Sequence, residues 1–207
     1  MQVLVISEEE QFKELITSGQ DEKLEMIRLD VLPPHTEDEK YDTVIDLEFE
    51  NTPDRIKTLK NLGAGLVIIN NVEHRLTETD ASFIRINGWK TFLKAPVIEA
   101  AFINQQAKEK ADEFFILIHK KLKWLPDEPG LVSARVISMI INEAYLAMSE
   151  ELSTKQEIDT AMKLGTGYPM GPFEWAESIG VKKVESLLKK MAEQEPKYAP
   201  ALSRSLY

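Results

Sequence analysis

The clearest pattern of apolar residues lies in residues 133–148. Apolar side chains recur there every three or four residues, at Val136, Ile137, Ile140, Ile141 and Ala144. This is the period of a helix with one apolar face, so the pattern predicts a helix over this stretch. Such a helix is marginal on its own, and we therefore expect its apolar face to pack on other helices or on a partner chain.

Two more helices are predicted downstream from their end signals. Ser153 followed by Gln156 has the spacing of a capping box, which opens a helix. Gly165 is placed to end that helix, because glycine adopts left-handed backbone angles without strain. Pro172 can open the next helix, which Gly180 closes. Residues 129–180 are thus predicted to form three helices joined by tight turns.

The first half of the chain alternates short apolar runs with amphipathic segments. The runs that predict strands are 2–6, 24–29, 43–47, 66–69, 83–86 and 97–101, the last two being the final strands. The predicted helices begin at a capping box from Ser7 to Glu10, cover 52–62, and cover 104–122. The connector 125–129 separates this half from the helical one. This alternation predicts an α/β domain followed by an all-α domain.

Composition limits the classes of function. The chain has 207 residues, no cysteine and a net charge of −10, which argues against disulfides, zinc–thiolate sites and nucleic-acid binding. Three separated histidines, including His35 and His119 at predicted surface positions, predict no metal site. There is no apolar run of about 18 residues and no signal-peptide pattern at the start. We therefore expect a cytoplasmic protein that binds neither nucleic acid nor membrane.

The opening strand–helix–strand unit has the length of a dinucleotide-binding unit but lacks its glycines. A G-x-G-x-x-G turn lets backbone amides approach a pyrophosphate, whereas this turn holds Ser7, Glu8, Glu9 and Glu10. Those carboxylates would repel phosphate. Asp30, at the end of the second strand, stands where an acidic residue would contact a ribose. It is open to a second interpretation, as an aspartate that caps the turn after the strand.

Residues 158–172, with the sequence IDTAMKLGTGYPMGP, closely resemble the signature of the helical domain of the L-3-hydroxyacyl-CoA dehydrogenases. Weaker similarity covers 41–50, which resembles the strand and turn beside the nicotinamide cofactor, and 67–71. The resemblance implies a shortened Rossmann-like domain over residues 1–125 and a helical dimerisation domain over 126–207. It also implies NAD as the cofactor, an acyl-CoA-like ligand, and a homodimer formed by the helical domains.

The family's site residues can be carried over only position by position. In the family, a histidine oriented by a glutamate twelve residues later removes a hydroxyl proton while hydride passes to NAD. Glu99 matches the glutamate, but Asn87 stands at the histidine position. The family serine corresponds to about Glu73, and the family asparagine corresponds to Ala134. For the cofactor, the resemblance points to Asp30 and to Glu50.

These replacements suggest a family member of fatty-acid-metabolism type that has lost ordinary NAD-dependent turnover and persists as a dimeric ligand-binding or scaffold protein. The alternative is an active dehydrogenase in which Glu99, with His74 or Glu73, transfers the proton. For His74 this competes with the interpretation of an exposed turn histidine without a catalytic role. A third hypothesis is a structural partner within a larger fatty-acid complex.

Overall fold

The computed structural model describes residues 1–33 and 40–201, and the chain forms two compact units, Met1–Leu131 and Val132–Tyr207. The division follows Leu131, whereas the sequence pattern places it between residues 125 and 126. Each unit has its own hydrophobic core. His35 lies outside the described residues.

A seven-stranded sheet organises the first unit, with strand order β2-β1-β3-β4-β5-β6-β7. The strands are β1 Gln2–Ile6, β2 Glu25–Leu29, β3 Thr43–Asp46, β4 Leu66–Asn70, β5 Ile84–Ile86, β6 Val97–Ala101 and β7 Lys121–Trp124. The first five are parallel to one another, and β6 and β7 run in the opposite direction. The chain leaves β1 towards β2 on one side and continues through β3 on the other, as in a doubly wound sheet.

Helices cover both faces of this sheet. They are α1 Glu9–Leu15, α2 Pro53–Asn61 and α3 Gln105–Leu117. One apolar layer joins Leu15 of α1 and Phe114 of α3 to alternate strand residues, and a second joins Leu59 of α2 to the intervening ones. Buried side chains therefore alternate between the two faces along each strand. Together with the helical second unit, this arrangement confirms the predicted α/β domain followed by an all-α domain.

Three local predictions in this unit were wrong. Ser7 forms no capping box: it is fully buried at the end of β1, and Glu8 stands at the start of α1 without a side-chain cap. The last long helix ends at Leu117 rather than at residue 122. His119, predicted to lie on a helix face, has a left-handed φ of 55° in the turn that follows. Because of this turn, the chain forms the seventh strand, β7, beside β6, so the strands at 83–86 and 97–101 are not the last.

The second unit contains four helices within its described residues: α4 Ser133–Ser149, α5 Lys155–Thr166, α6 Pro172–Ile179 and α7 Val181–Ala192. Short 3-10 turns occur at Pro196–Tyr198 here and at Leu76–Glu78 in the first unit. The capping box of α5 is one residue later than predicted, formed by Thr154 and Glu157. Gly165 lies inside α5, and Gly167, with φ of 71°, ends it. Pro172 and Gly180 delimit α6 as predicted.

The signature sequence forms the corner between α5 and α6. Asp159 Oδ1 accepts a hydrogen bond from the backbone N–H of Phe173 at 2.9 Å, where a carboxylate also suits the helix dipole. Glu174 Oε2 accepts from the N–H of Gly171 at 2.8 Å, and its Oε1 pairs with Lys163 Nζ at 2.5 Å. Asp159, Lys163 and Gly171 of the signature thus form contacts that hold this corner.

Asn142 fastens the chain that follows α7. Its Nδ2 donates to the carbonyl of Ala199 at 3.1 Å, and its Oδ1 accepts from the N–H of Ala201 at 2.6 Å. Nearby, Arg135 Nη1 donates to the hydroxyl of Tyr198 at 3.2 Å. The last residue of the final 3-10 turn and the residues that follow it are thus bound to α4.

Candidate functional site

The candidate site lies where β4 and β5 end, at the carboxyl edge of the parallel strands. Asn70 ties three strand ends together: its Nδ2 donates to the carbonyl of Leu47 at 3.0 Å, and its Oδ1 accepts from the N–H of Gly88 at 2.9 Å. A Cβ on Gly88 would lie 2.9 Å from Asn70 Cβ and Cγ, so a larger residue does not fit there. Open α/β sheets bind ligands at this edge.

Asn87 and Glu99 face each other across the antiparallel pair β5 and β6. The register pairs Ile86 with Ala100, and the N–H of Asn87 donates to the carbonyl of Glu99 at 3.1 Å. Residues directly opposite in such a pair place their side chains on the same face, with Cβ atoms about 5 Å apart. The twelve-residue spacing noted in the sequence is therefore realised as a cross-strand neighbour pair.

The side chain of Asn87 is buried and only half satisfied. It is 2% exposed, and its Oδ1 accepts from the N–H of Trp89 at 3.3 Å. Its Nδ2 has no hydrogen-bond partner among the described residues. A buried amide in this state is a hydrogen-bond donor positioned for an oxygen atom of a ligand or of water.

Glu73 and His74 lie in the turn that follows β4. His74 Nε2 is 3.5 Å from Glu73 Oε1, and both side chains are about 30% exposed. The N–H of His74 donates to Asn71 Oδ1 at 3.0 Å, which fixes the backbone of the turn. Glu73 is thus within ion-pair distance of His74.

The amino end of α1 carries carboxylates that are already engaged. Glu8 pairs with Lys90 Nζ at 2.7 Å, and this contact raises the pKa of Lys90. Gln11 Nε2 donates to the carbonyl of Gly88 at 3.1 Å, while the buried carboxylate of Glu14 accepts from the N–H of Thr91 at 2.9 and 3.1 Å. The segment after β5 is therefore bound to α1. This donor set does not fit the pyrophosphate of a dinucleotide, which needs free backbone amides and no carboxylates at a helix start.

The two residues suggested for the cofactor lie after β2 and β3. Asp30 pairs with Arg28 Nη1 at 2.6 Å and its side chain is 77% exposed, whereas Glu50 is exposed in the loop before α2. At the end of β3, the buried carboxylate of Asp46 forms a bidentate pair with Arg55, at 2.7 and 2.8 Å. Burial raises the pKa of Asp46, and Arg55 opposes that rise.

Ala134 lies in the first turn of α4, in the second unit, and is fully buried. One helical turn later, Ser138 is also fully buried, and its Oγ has no hydrogen-bond partner among the described residues. Ser138 was not predicted as a site residue, because it lies within an apolar helical pattern. The signal was a polar residue four positions after Ala134, on the same helix face.

Arg85 is a second residue that was not predicted from the sequence. Its side chain is fully buried, on β5 two residues before Asn87, and contacts the turn after β4. A charged residue between Ile84 and Ile86, in the middle of an apolar run, was the available signal.

The described residues were also compared with the requirements of a metal site and of a membrane-spanning helix. Residues 1–33 and 40–201 contain no group of three or more His, Asp or Glu side chains arranged as a metal would require. In the same part of the chain, no helix is long and apolar enough to span a membrane.

Comparison with known proteins shows which proteins the chain is similar to. The sequence model of the 3-hydroxyacyl-CoA dehydrogenase C-terminal domain matches residues 130–207. The chain is 36% identical over 110 residues to 3-hydroxyadipyl-CoA dehydrogenase of Escherichia coli K12, covering 52% of this chain and 23% of that protein. It is 31% identical over 134 residues to the mitochondrial hydroxyacyl-coenzyme A dehydrogenase of Mus musculus, covering 62% and 41%. The chain thus spans less than half the length of these curated relatives.

A solved structure has the same fold. The crystal structure of (S)-3-hydroxybutyryl-CoA dehydrogenase from Ralstonia eutropha superposes with a TM-score of 0.73, at 20% identity, over 98% of this chain and 91% of that one. Residues 130–207 belong to the 3-hydroxyacyl-CoA dehydrogenase C-terminal domain family. The correspondence of Asn87, Glu99 and Ala134 to the histidine, glutamate and asparagine of those dehydrogenases stays a prediction from the sequence.

Proposed function

We propose that this 3-hydroxyacyl-CoA dehydrogenase-like protein has no ordinary NAD-dependent turnover, and that it acts as a dimeric ligand-binding or scaffold protein of fatty-acid-metabolism type. The observation that carries the proposal is the pair formed by Asn87 and Glu99. The amide occupies the strand position opposite the carboxylate, where the resemblance places a base.

An amide at this position changes what the site can do. A neutral imidazole takes up a proton near neutral pH. The Asn87 amide does not; it only donates hydrogen bonds through Nδ2 and accepts them through Oδ1. Because Nδ2 is buried without a hydrogen-bond partner in residues 1–33 and 40–201, it is suited to hold an oxygen of a bound acyl group. A hydroxyl placed there would accept a hydrogen bond from Asn87, and this amide would not remove its proton.

The start of α1 supports the second part of the proposal. Glu8 before α1 and Glu14 in its last turn are engaged with the segment after β5, and Glu8, Glu9 and Glu10 place carboxylates at the helix start. A pyrophosphate would meet negative charge there. Since the curated relatives are named as dehydrogenases of CoA thioesters, a CoA ester is the ligand class that we propose, with NAD bound weakly or not at all.

Exposed apolar side chains support a homodimer formed by the helical unit. Val136 on α4 is 50% exposed, Leu164 on α5 is 83% exposed and Leu152, between these helices, is 70% exposed. Large exposed apolar side chains are typical of surfaces that pair. Sedimentation equilibrium would test this: Leu164→Glu should shift the mass towards that of a single chain.

A thermal-shift titration with NAD, NADH, CoA and acetoacetyl-CoA tests the ligand proposal, because a ligand that binds only the folded state raises the melting temperature. We expect a shift with acetoacetyl-CoA that Asn87→Ala reduces. Asn61→Ala, at an exposed asparagine on α2, is the matched control and should leave the shift unchanged. A larger shift with NADH than with the CoA ester would contradict the proposal.

The second candidate function is an active dehydrogenase with altered residues. It is favoured by the contact between His74 and Glu73, which places an imidazole beside a carboxylate in the turn after β4. In that case His74→Ala would abolish acetoacetyl-CoA reduction while leaving its binding intact. A protein without reductase activity before the substitution excludes this candidate.

A further inference from the structure

The guanidinium of Arg85 is surrounded by protein acceptors. Its Nη1 donates to the carbonyls of Asn71 at 3.0 Å and His74 at 3.2 Å, and its Nη2 donates to the carbonyl of Glu128 at 2.5 Å. Its Nε lies 2.5 Å from Asp127 Oδ1. The side chain is fully buried, so these groups stand in place of water that the charge would otherwise bind.

The same two segments are joined by further contacts. The N–H of Leu76 donates to Asp127 Oδ2 at 2.8 Å, and the N–H of Gly130 donates to the carbonyl of Val72 at 2.6 Å. Arg75 pairs with Glu128 at 2.5 Å on the more exposed side. The turn after β4 and the segment 127–130 therefore form one connected structure, with Arg85 at its buried centre.

Arg85 lies between this connected structure and the candidate site. Alternate residues of a strand share a face, so Arg85 and Asn87 lie on one side of the sheet, about 7 Å apart along β5. Two of the carbonyls that Arg85 binds belong to the turn after β4. One is the carbonyl of His74, and the other is that of Asn71, whose Oδ1 also accepts from the N–H of His74.

We propose that Arg85 is a positioning residue, which holds the turn 71–76 against the segment 127–130 and thereby fixes Glu73 and His74 beside the site at Asn87. Nη1 and Nη2 of Arg85 donate to carbonyls of the protein and its Nε forms an ion pair with Asp127, so we assign it no anion-binding role. Burial is the largest influence on its pKa and lowers it, and the carboxylate of Asp127 opposes this. The planar fork of arginine is required, because a lysine ammonium cannot reach acceptors on both segments in one plane.

Amide hydrogen exchange of the unliganded chain tests this proposal. Arg85→Met keeps an unbranched apolar stem and removes the donors. We expect exchange at His74 and Leu76 to accelerate by about tenfold or more, while the amides of β1 and β3 change by less than about twofold. Arg28→Met, which removes another strand arginine that does not contact the turn, is the control and should leave His74 and Leu76 protected.

Two further variants distinguish positioning from a general loss of stability. Arg85→Lys should restore only part of the protection, because it keeps the charge without the fork. If Arg85→Met does not fold, Asp127→Asn keeps the shape of the pair and should still accelerate exchange at Leu76. Equal acceleration in the turn and in β1, or none in the turn, would overturn the proposal. No ligand enters this test, so its outcome is independent of the proposed function.

Discussion

Replacing Gly171 by alanine tests the α5–α6 corner, which the family signature encodes. A Cβ added at Gly171 would lie 2.3 Å from Cγ and Oδ1 of Asp159 and 2.4 Å from its Cβ. Asp159 is 9% exposed and its carboxylate is bound to the N–H of Phe173, so it cannot move aside freely. The φ of Gly171 is −76°, which alanine also adopts, so any cost comes from the contact and not from the backbone.

The loss of folding stability in Gly171→Ala depends on which contact the added methyl group disrupts. Either Asp159 loses a charge-assisted hydrogen bond, at about 1.5–3 kcal/mol, or the two helices separate, at about 1–3 kcal/mol for an overpacked core. We expect a destabilisation of about 2–3 kcal/mol. With a urea dependence of about 2 kcal/mol per molar, the unfolding midpoint should fall by about 1 M.

A double-mutant cycle isolates the contact. Asp159→Ala alone removes a helix cap and should cost about 1 kcal/mol. In that background Gly171→Ala should be nearly neutral, because the space is then empty and alanine restricts the unfolded chain. Trp175 on α6 reports unfolding of this unit when Trp89 and Trp124 are replaced by phenylalanine. An equal cost of Gly171→Ala in both backgrounds would refute the assignment of the clash to Asp159.

Two further predictions concern the second unit. The hydrogen bond from Lys163 is the largest cause that lowers the pKa of Glu174, and the hydrogen bond from the Gly171 N–H is the next. The ionised Glu174 therefore stabilises the folded state above pH 4.5, and this contribution is lost as the pH falls through the lower pKa of the folded state. Glu174→Gln should therefore be less stable than the wild type at neutral pH, and urea unfolding curves of the two should converge at acidic pH. Asn142→Ala removes both bonds to residues 199–201 and should cost about 1–2 kcal/mol. Trypsin should then cut after Lys197 faster than in the wild type, and unchanged cleavage would show that Asn142 does not hold this segment.

Long periodic segments were predictable from the sequence, because their pattern and their structure have the same cause. The apolar stripe of α4 and the Pro172 and Gly180 boundaries of α6 follow from side-chain burial and backbone geometry within a few residues. β7 was missed for a physical reason. His119 turns the chain in a left-handed conformation without a glycine, and Leu122 falls at helical spacing from Ile118, so the pattern continued where the helix did not.

Some residues of the candidate site were predictable from the sequence and others were not. The facing of Asn87 and Glu99 could be expected from spacing and resemblance, because an antiparallel pair brings such residues together. Arg85 could not be placed from sequence, since its partners are mainly carbonyls, which every residue carries. The binding of the segment after β5 to α1 was equally hidden, because it depends on contacts between Gln11 or Glu14 and backbone groups nearly eighty residues away.

The most direct test of the central claim is the absorbance of NADH during incubation of the purified full chain with acetoacetyl-CoA. Because we propose that Asn87 stands in place of the base, and because carboxylates occupy the start of α1, we predict no loss of NADH that depends on the CoA ester. Saturable oxidation of NADH that requires acetoacetyl-CoA would contradict the account, and would identify the chain as a working dehydrogenase.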